Sequence, residues 1–346
     1  MISSRTGIRV LAGLSVLAAG LCVAGMDFSG GLPSSHAALA EDQRDALFPL
    51  PPSPRLNAAK VELGETLFND PILSRRQMLS CASCHGLATG GTVPVKRTVG
   101  YDGRLHQFNA STVFNVGNNY RLGWRGKFAS LAAQNENVLI DPNLMANDWQ
   151  TLLPRLTGTD FYRTRFKAIY GRSPDRDSVL DALVTFQRSL VTPNAPFDLY
   201  LEGNANAITP EQQRGYELFK SYGCVSCHQG SNIGGNMFQI FGIFAPPEPG
   251  NWAGPSADIL PWPLSGADED EHVFRVPSLR NVEVTAPYFH DGRAERLDDA
   301  VAIMGRSQLG RELPQDDVAS IVEFLKSLTG EYNGERLKAP SIEGGR

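Results

Sequence analysis

Apolar side chains recur at helical spacing along much of the chain. Val61, Leu63, Leu67 and Phe68 mark a helix over 58–68, behind the Pro-rich lead LFPLPPSPR. A second apolar run predicts a helix over 179–190. Thr209-Pro210-Glu211-Gln212 combines an N-cap residue, a proline at the first helical position and a Gln three residues after the cap, so a helix should start there and run to about 222. Val318, Ile321, Val322, Leu325 and Leu328 place a last helix over 315–328, whose simplest role is to pack on a core. Residues 230–270, rich in Gly, Pro and Asn, have no sustained period and read as a long loop. Little predicts strands beyond short pieces, so the fold class expected is mainly α.

The first forty residues follow another pattern. Arg5 and Arg9 precede the apolar run VLAGLSVLAAGLCVAG, and a small-residue stretch ends AALA before Glu41. This describes an export signal over 1–40, cleaved after Ala40. An uncleaved anchor is the alternative, but the run falls short of the ~20 apolar residues a span needs. Cys22 lies inside this segment and reads as apolar filler. The mature chain should then be periplasmic and soluble.

Length and charge narrow the picture further. A chain of 346 residues suggests two domains, and 42% hydrophobic with 20% charged residues is ordinary globular composition. The 37 acidic and 32 basic side chains give a net charge of −5, which argues against nucleic acid and leaves room for a basic protein partner.

The remaining cysteines form two copies of one motif, Cys81-Ala82-Ser83-Cys84-His85 and Cys224-Val225-Ser226-Cys227-His228. Two thiols at this spacing can form thioethers to both vinyl groups of a haem, and the next side chain is an imidazole able to ligate the iron. Zinc sites built from paired C-x-x-C usually keep the pairs ~15–20 residues apart, far closer than here. No βαβ pattern supports a thioredoxin-like redox pair, and a disulfide within C-x-x-C would be strained. Two covalently bound haem c groups are therefore expected, one in an N-terminal domain over 41–200 and one in a C-terminal domain over 201–346.

Further stretches carry a resemblance. KVELGETLFNDPILS, NASTVFN, GGNMFQIFG after the second motif, VPSLRNVEVTAPYFHDG and LDDAVAIMGRSQLGREL together resemble the bacterial di-haem cytochrome c peroxidases, a family that includes relatives oxidising protein side chains. The resemblance covers nearly all of 55–330. It implies two tandem cytochrome c-like domains and reduction of hydrogen peroxide with electrons from a small donor protein, a cytochrome c or a cupredoxin. A homodimer is a further expectation that rests on the resemblance alone.

Carried over by position, the resemblance makes Met304 the ligand opposite His228 in the electron-accepting haem. A thioether favours ferrous iron and should raise the potential. Relatives that oxidise side chains carry tyrosine there, so Met304 speaks against that activity. Trp124 falls between the haems, where an indole can carry a hole or serve as an apolar wedge. Asn109, with the carbonyls of Thr285 and Pro287, matches a calcium site of oxygen ligands.

At the peroxide-binding haem of His85 the sequence departs from the family. Gln134 matches the distal glutamine, but the glutamate expected ten residues later is Leu144, which cannot transfer a proton; Asp141 is a fallback. Where many relatives carry a removable histidine ligand stands Tyr101, with His106 nearby. Tyr101 could ligate ferric iron, hydrogen-bond to bound peroxide or simply pack in its loop. The expected activity is a weakened peroxidase. The alternatives are oxidation of a partner protein's Tyr or Trp through a high-valent haem state, and a non-enzymatic di-haem electron carrier or redox sensor.

Overall fold

Residues 46–246 and 272–339 are described by a computed structural model; the expected export signal and most of the loop after 246 lie outside them. Among the described residues the chain is mainly α-helical. In chain order the helices are α1 (Ala58–Asn69), α2 (Leu131–Ile140), α3 (Trp149–Gly158), α4 (Asp160–Tyr170), α5 (Arg176–Ser189), α6 (Pro196–Leu201), α7 (Pro210–Ser221), α8 (Leu297–Leu309) and α9 (Gln315–Lys326). Side-chain caps start several of them. Asn57 accepts from Lys60 N at 3.1 Å, Ser130 from Ala133 N at 3.2 Å, and Thr209 with Gln212 forms a reciprocal capping box.

The loop expected over 230–270 contains one strand. β1 (Phe238–Ile240) pairs antiparallel with β2 (Val273–Arg275), Phe238 lying opposite Arg275. This strand was missed because three residues are too few to show a period of two. A second ribbon, β3 (Glu331–Tyr332) with β4 (Glu335–Arg336), follows the last helix.

The architecture repeats itself. α1 packs on α5 and α7 packs on α9. Each crossing is made through a glycine at the same place in a G-x-x-L-F run, 64–68 and 215–219. A Cβ on Gly64 would run into the Ala182 carbonyl, and one on Gly215 into the Ser320 carbonyl, so the helix backbones touch directly. Two hydrophobic cores result. One holds Leu63, Leu67, Phe68, Phe166 and Phe186, the other Phe197, Tyr216, Phe219, Ile321 and Phe324.

Both ends of the described chain cross over. Leu47 packs in the second core and bridges to Gly230, while Leu337 packs in the first. A buried polar network joins the cores. Asn115 Nδ2 and Asn281 Nδ2 both donate to Thr192 Oγ1, at 2.8 and 3.0 Å. Asn115 and Asn281 are themselves repeat mates, each with positive φ (56° and 61°) and each donating its backbone N–H to a residue just past α5 or α9, Leu190 or Leu328. Asparagine tolerates that left-handed conformation better than most residues.

Candidate functional site

The two cysteine motifs fold alike. In each, a short 3-10 turn brings the N–H of the second cysteine and of the histidine onto the carbonyl of the first cysteine. These distances are 3.1 and 3.0 Å to Cys81 O, and 3.2 and 2.9 Å to Cys224 O. All four motif cysteines are free thiols. His85 Nδ1 lies 3.3 Å from Gly91 O, and His228 Nδ1 lies 3.4 Å from Ile233 O. A carbonyl can only accept, so Nδ1 carries the proton and each Nε2 keeps its lone pair for a metal.

Burial reinforces this protonation. It pushes His228 down to about 4 and His85 below the ordinary imidazole range, with His106 adding a smaller push on His85. It also raises the thiols, Cys81 to about 12 and Cys224 to about 11. These are neutral ligand and thiol groups in an apolar setting, which suits a covalently attached porphyrin.

Around the second motif lies a cavity of about 260 Å³, and Cys224, Cys227 and His228 line it. So does Met304, delivered by α8, a helix that the sequence reading reached only through the family resemblance. The residues present fit a haem here: an imidazole, a thioether and two thiols face one largely apolar space. Trp124, Asn109, Thr285 and Pro287 line the same cavity. Asn109 spends its amide N–H groups on Val95 O (3.0 Å) and Lys96 O (3.2 Å), and its Oδ1 accepts no hydrogen bond from the described residues. That leaves an oxygen able to take a hard cation.

Sequence reasoning missed His290. Burial pushes it down to about 4; its ring stacks on Phe274 at 4.1 Å and meets Trp124 edge-on at 6.3 Å. Trp124 and His290 hold equivalent places in two similar turns, bridged Leu122 to Phe128 and Tyr288 to Ala294. The only signal in the sequence was the phrase FHDG inside a longer matched stretch.

The residues that the resemblance assigns to the first haem lie on α2, in the turn after it and on the loop against that turn. Gln134 sits half-buried on α2, and Leu144 half-buried in the turn that follows it, where Leu144 N donates to Asp141 O at 3.0 Å. Tyr101 lies against that turn, its N–H 3.3 Å from Asn143 O and its ring under the Arg76 guanidinium at 5.1 Å. The two departures from the family therefore stand side by side. Neither nearby carboxylate is uncommitted: Asp141 accepts from Asn143 N at 2.8 Å, and Glu136 is held by Arg176 and by Trp149 Nε1 at 3.0 Å. His106 folds back on its own loop, with Nδ1 3.0 Å from Phe108 O.

A helical fold with two such motifs is the arrangement expected of a di-haem c-type protein. Residues 58–206 match the family described as di-haem cytochrome c peroxidase. A cytochrome c551 peroxidase of Nitrosomonas europaea is 41% identical over 276 residues, 80% of this chain and 81% of that one. Another, of Pseudomonas aeruginosa, is 37% identical over 321 residues, 90% of each chain. Among solved structures, a MauG-like protein associated with microbial copper homeostasis aligns with a TM-score of 0.68 at 26% identity, covering 82% of this chain and 93% of that one. The chain belongs to the di-haem cytochrome c peroxidase family and is a peroxidase-like oxidoreductase. The family implies two haem c cofactors. Among the described residues no helix is long and apolar enough to cross a membrane.

Proposed function

We propose that this chain is a periplasmic peroxidase with diminished turnover, taking electrons at a C-terminal haem held by His228 and Met304 and delivering them past Trp124 to an N-terminal haem held by His85. The observation that carries this reading is that His228, Met304 and Trp124 line one cavity. When bound, the haems supply one-electron redox chemistry and a place for hydrogen peroxide to bind. Cys81 and Cys84 would anchor one, Cys224 and Cys227 the other, in two haem domains over 41–200 and 201–346. The donor is a small redox protein, a cytochrome c or a cupredoxin, and two copies of the chain form a homodimer.

The protein's own groups set the rate. Cleaving the O–O bond needs a proton moved from one oxygen to the other, and Leu144 cannot move it. Gln134 can orient peroxide through its amide, and the Tyr101 phenol, on the loop that lies against the turn of Leu144, is an alternative proton carrier. Loss of a positioned acid–base group lowers rates by about 10²–10⁴. Calcium, held by Asn109 Oδ1 and the carbonyls of Thr285 and Pro287, would tie the loop carrying Trp124's partner to the second half of the chain.

The test is steady-state peroxide reduction with reduced cytochrome c, combined with spectra of Met304→Ala. Slow turnover, and loss of the methionine-to-iron charge-transfer band in the variant, are expected. Full family-like turnover would overturn the role given to Leu144, and an unchanged band would overturn that given to Met304. The likeness to a MauG-like structure favours a second reading, oxidation of a partner protein's Tyr or Trp, which mass shifts on a co-expressed partner would reveal.

A further inference from the structure

β2 ends in a buried arginine for which the peroxidase chemistry has found no use. Arg275 is 5% exposed and lines the same cavity as His228 and Met304. No carboxylate lies within ion-pair range of it among the described residues. Among the described residues its side chain donates to carbonyls alone, Nε–H to Gly123 O at 3.2 Å and a longer contact of 3.5 Å to Val276 O. Those two bonds leave most of its five N–H groups uncommitted.

Arg280, five residues on and equally buried, shows the usual remedy. Its guanidinium is 2.7 Å from the buried carboxylate of Asp198. Burying a full charge without a counter-charge is costly, so a buried arginine that lacks one among the described residues is evidence for an anion from elsewhere. The anionic groups that a haem brings into such a cavity are its two propionates, and the guanidinium fork matches a carboxylate.

We propose that Arg275 is the counter-ion of a propionate of the C-terminal haem and thereby holds that haem's potential up. The inference rests on the assignment of this cavity to the His228/Met304 haem. Arg275 is a positioning residue as well. Its backbone N–H donates to Trp124 O at 2.8 Å while its Nε–H holds Gly123, so one residue ties the charge at the haem edge to the backbone of the bridging tryptophan.

Its surroundings support the reading. Burial pushes Arg275 down to about 10 and no acidic partner pulls it back, yet it stays charged at neutral pH. Among the described residues the other charged or titratable groups nearby are Arg125 and His290, both set on the Phe274 ring, then His272 and the Asp291–Arg293 ion pair at 2.5 Å. The one carboxylate among them is already held by Arg293. A ferrous haem carries one positive charge fewer at iron than a ferric one, so removing a nearby cation favours the ferric form.

The test is an optical redox titration of the holoprotein over a range of neutral pH, for the native chain and for Arg275→Gln and Arg275→Lys, with haem content per chain checked in each. In the native protein the potential of the methionine-ligated haem should be independent of pH. In Arg275→Gln it should fall and become pH-dependent, because the released propionate titrates, and Arg275→Lys should stay near the native value. A potential that is unchanged in Arg275→Gln with both haems attached overturns the proposal. So does a pH-dependent potential in the native protein, which remains measurable if the Gln variant fails to bind haem. Absence of the methionine-to-iron band in the native holoprotein would instead overturn the ligand assignment beneath it.

Discussion

Trp124 donates its indole N–H to the Asn109 carbonyl at 2.8 Å, so a ring that lines the cavity of the second motif and the residue at the proposed cation site are held as one piece. The bond fixes the indole against the loop that carries Asn109, and Trp124 lines the cavity. A Phe in its place would keep the apolar wedge and lose both the bond and the low-lying hole state. Trp124→Phe should cost about 1 kcal/mol of stability, the usual net worth of one hydrogen bond. Intramolecular electron transfer in the half-reduced protein should slow more than that small loss explains. Denaturant unfolding and rapid-mixing kinetics with peroxide check the two effects separately, and equal transfer rates would leave Trp124 a structural wedge.

Leu144 stands half-buried in a turn shared with Tyr101 through the Asn143 carbonyl. A carboxylate introduced there would stand at the position where the family resemblance places an acid–base group. Leu144→Glu should raise peroxide turnover by at least tenfold, the lower part of the range of about 10²–10⁴ for a positioned acid–base group being discounted for imperfect fit. Steady-state rates at saturating donor measure it; no rise would mean that Tyr101 or water already supplies the proton.

The helix crossings make a structural prediction. Gly215→Ala would press a methyl group into the Ser320 backbone, and Gly64→Ala one into Ala182. Backbone cannot move aside as a side chain would, so each change should destabilise by about 1–3 kcal/mol through overpacking. Each should also lower haem occupancy of its own half first, since α1 and α7 lead into the cysteine motifs. Haem content and thermal unfolding of the two variants would show whether the losses are local.

Acid should weaken the α2–α5 contact. The Arg176 guanidinium beside Glu136 holds its carboxyl below the ordinary value of 4.5. A depressed carboxyl contributes stability that is fully present above its unfolded value and is lost as pH falls through the folded one. Unfolding midpoints should therefore drop as pH falls below about 4.5, and Arg176→Gln should flatten that part of the profile. Equal profiles would mean that the pair is too solvated to matter.

Much of this was legible in the chain, for reasons that differ by residue. The helix over 58–68 and the capping box at Thr209 were visible because local periodicity and cap chemistry act within a few residues. The cysteine motifs were visible because covalent attachment demands fixed spacing. α3 and α4 went unread, since they are short and Pro154 lies inside α3. Arg275 and His290 could not have been found from local pattern. Their significance comes from what surrounds them in space: no ion-pair partner among the described residues in one case, and Phe274 with Trp124 in the other. The repeat G-x-x-L-F was present in plain sight, but it acquires meaning only once both glycines are seen to lie against a backbone.

The most direct test of the whole account is electron paramagnetic resonance of the half-reduced holoprotein, with and without an added small ligand such as cyanide. The account predicts that the methionine-ligated haem is ferrous and silent, while the ferric haem of His85 has an open position and changes its signal when the ligand is added. A ferric haem that stays six-coordinate, low-spin and indifferent to the ligand would contradict it and leave an electron carrier in place of an enzyme.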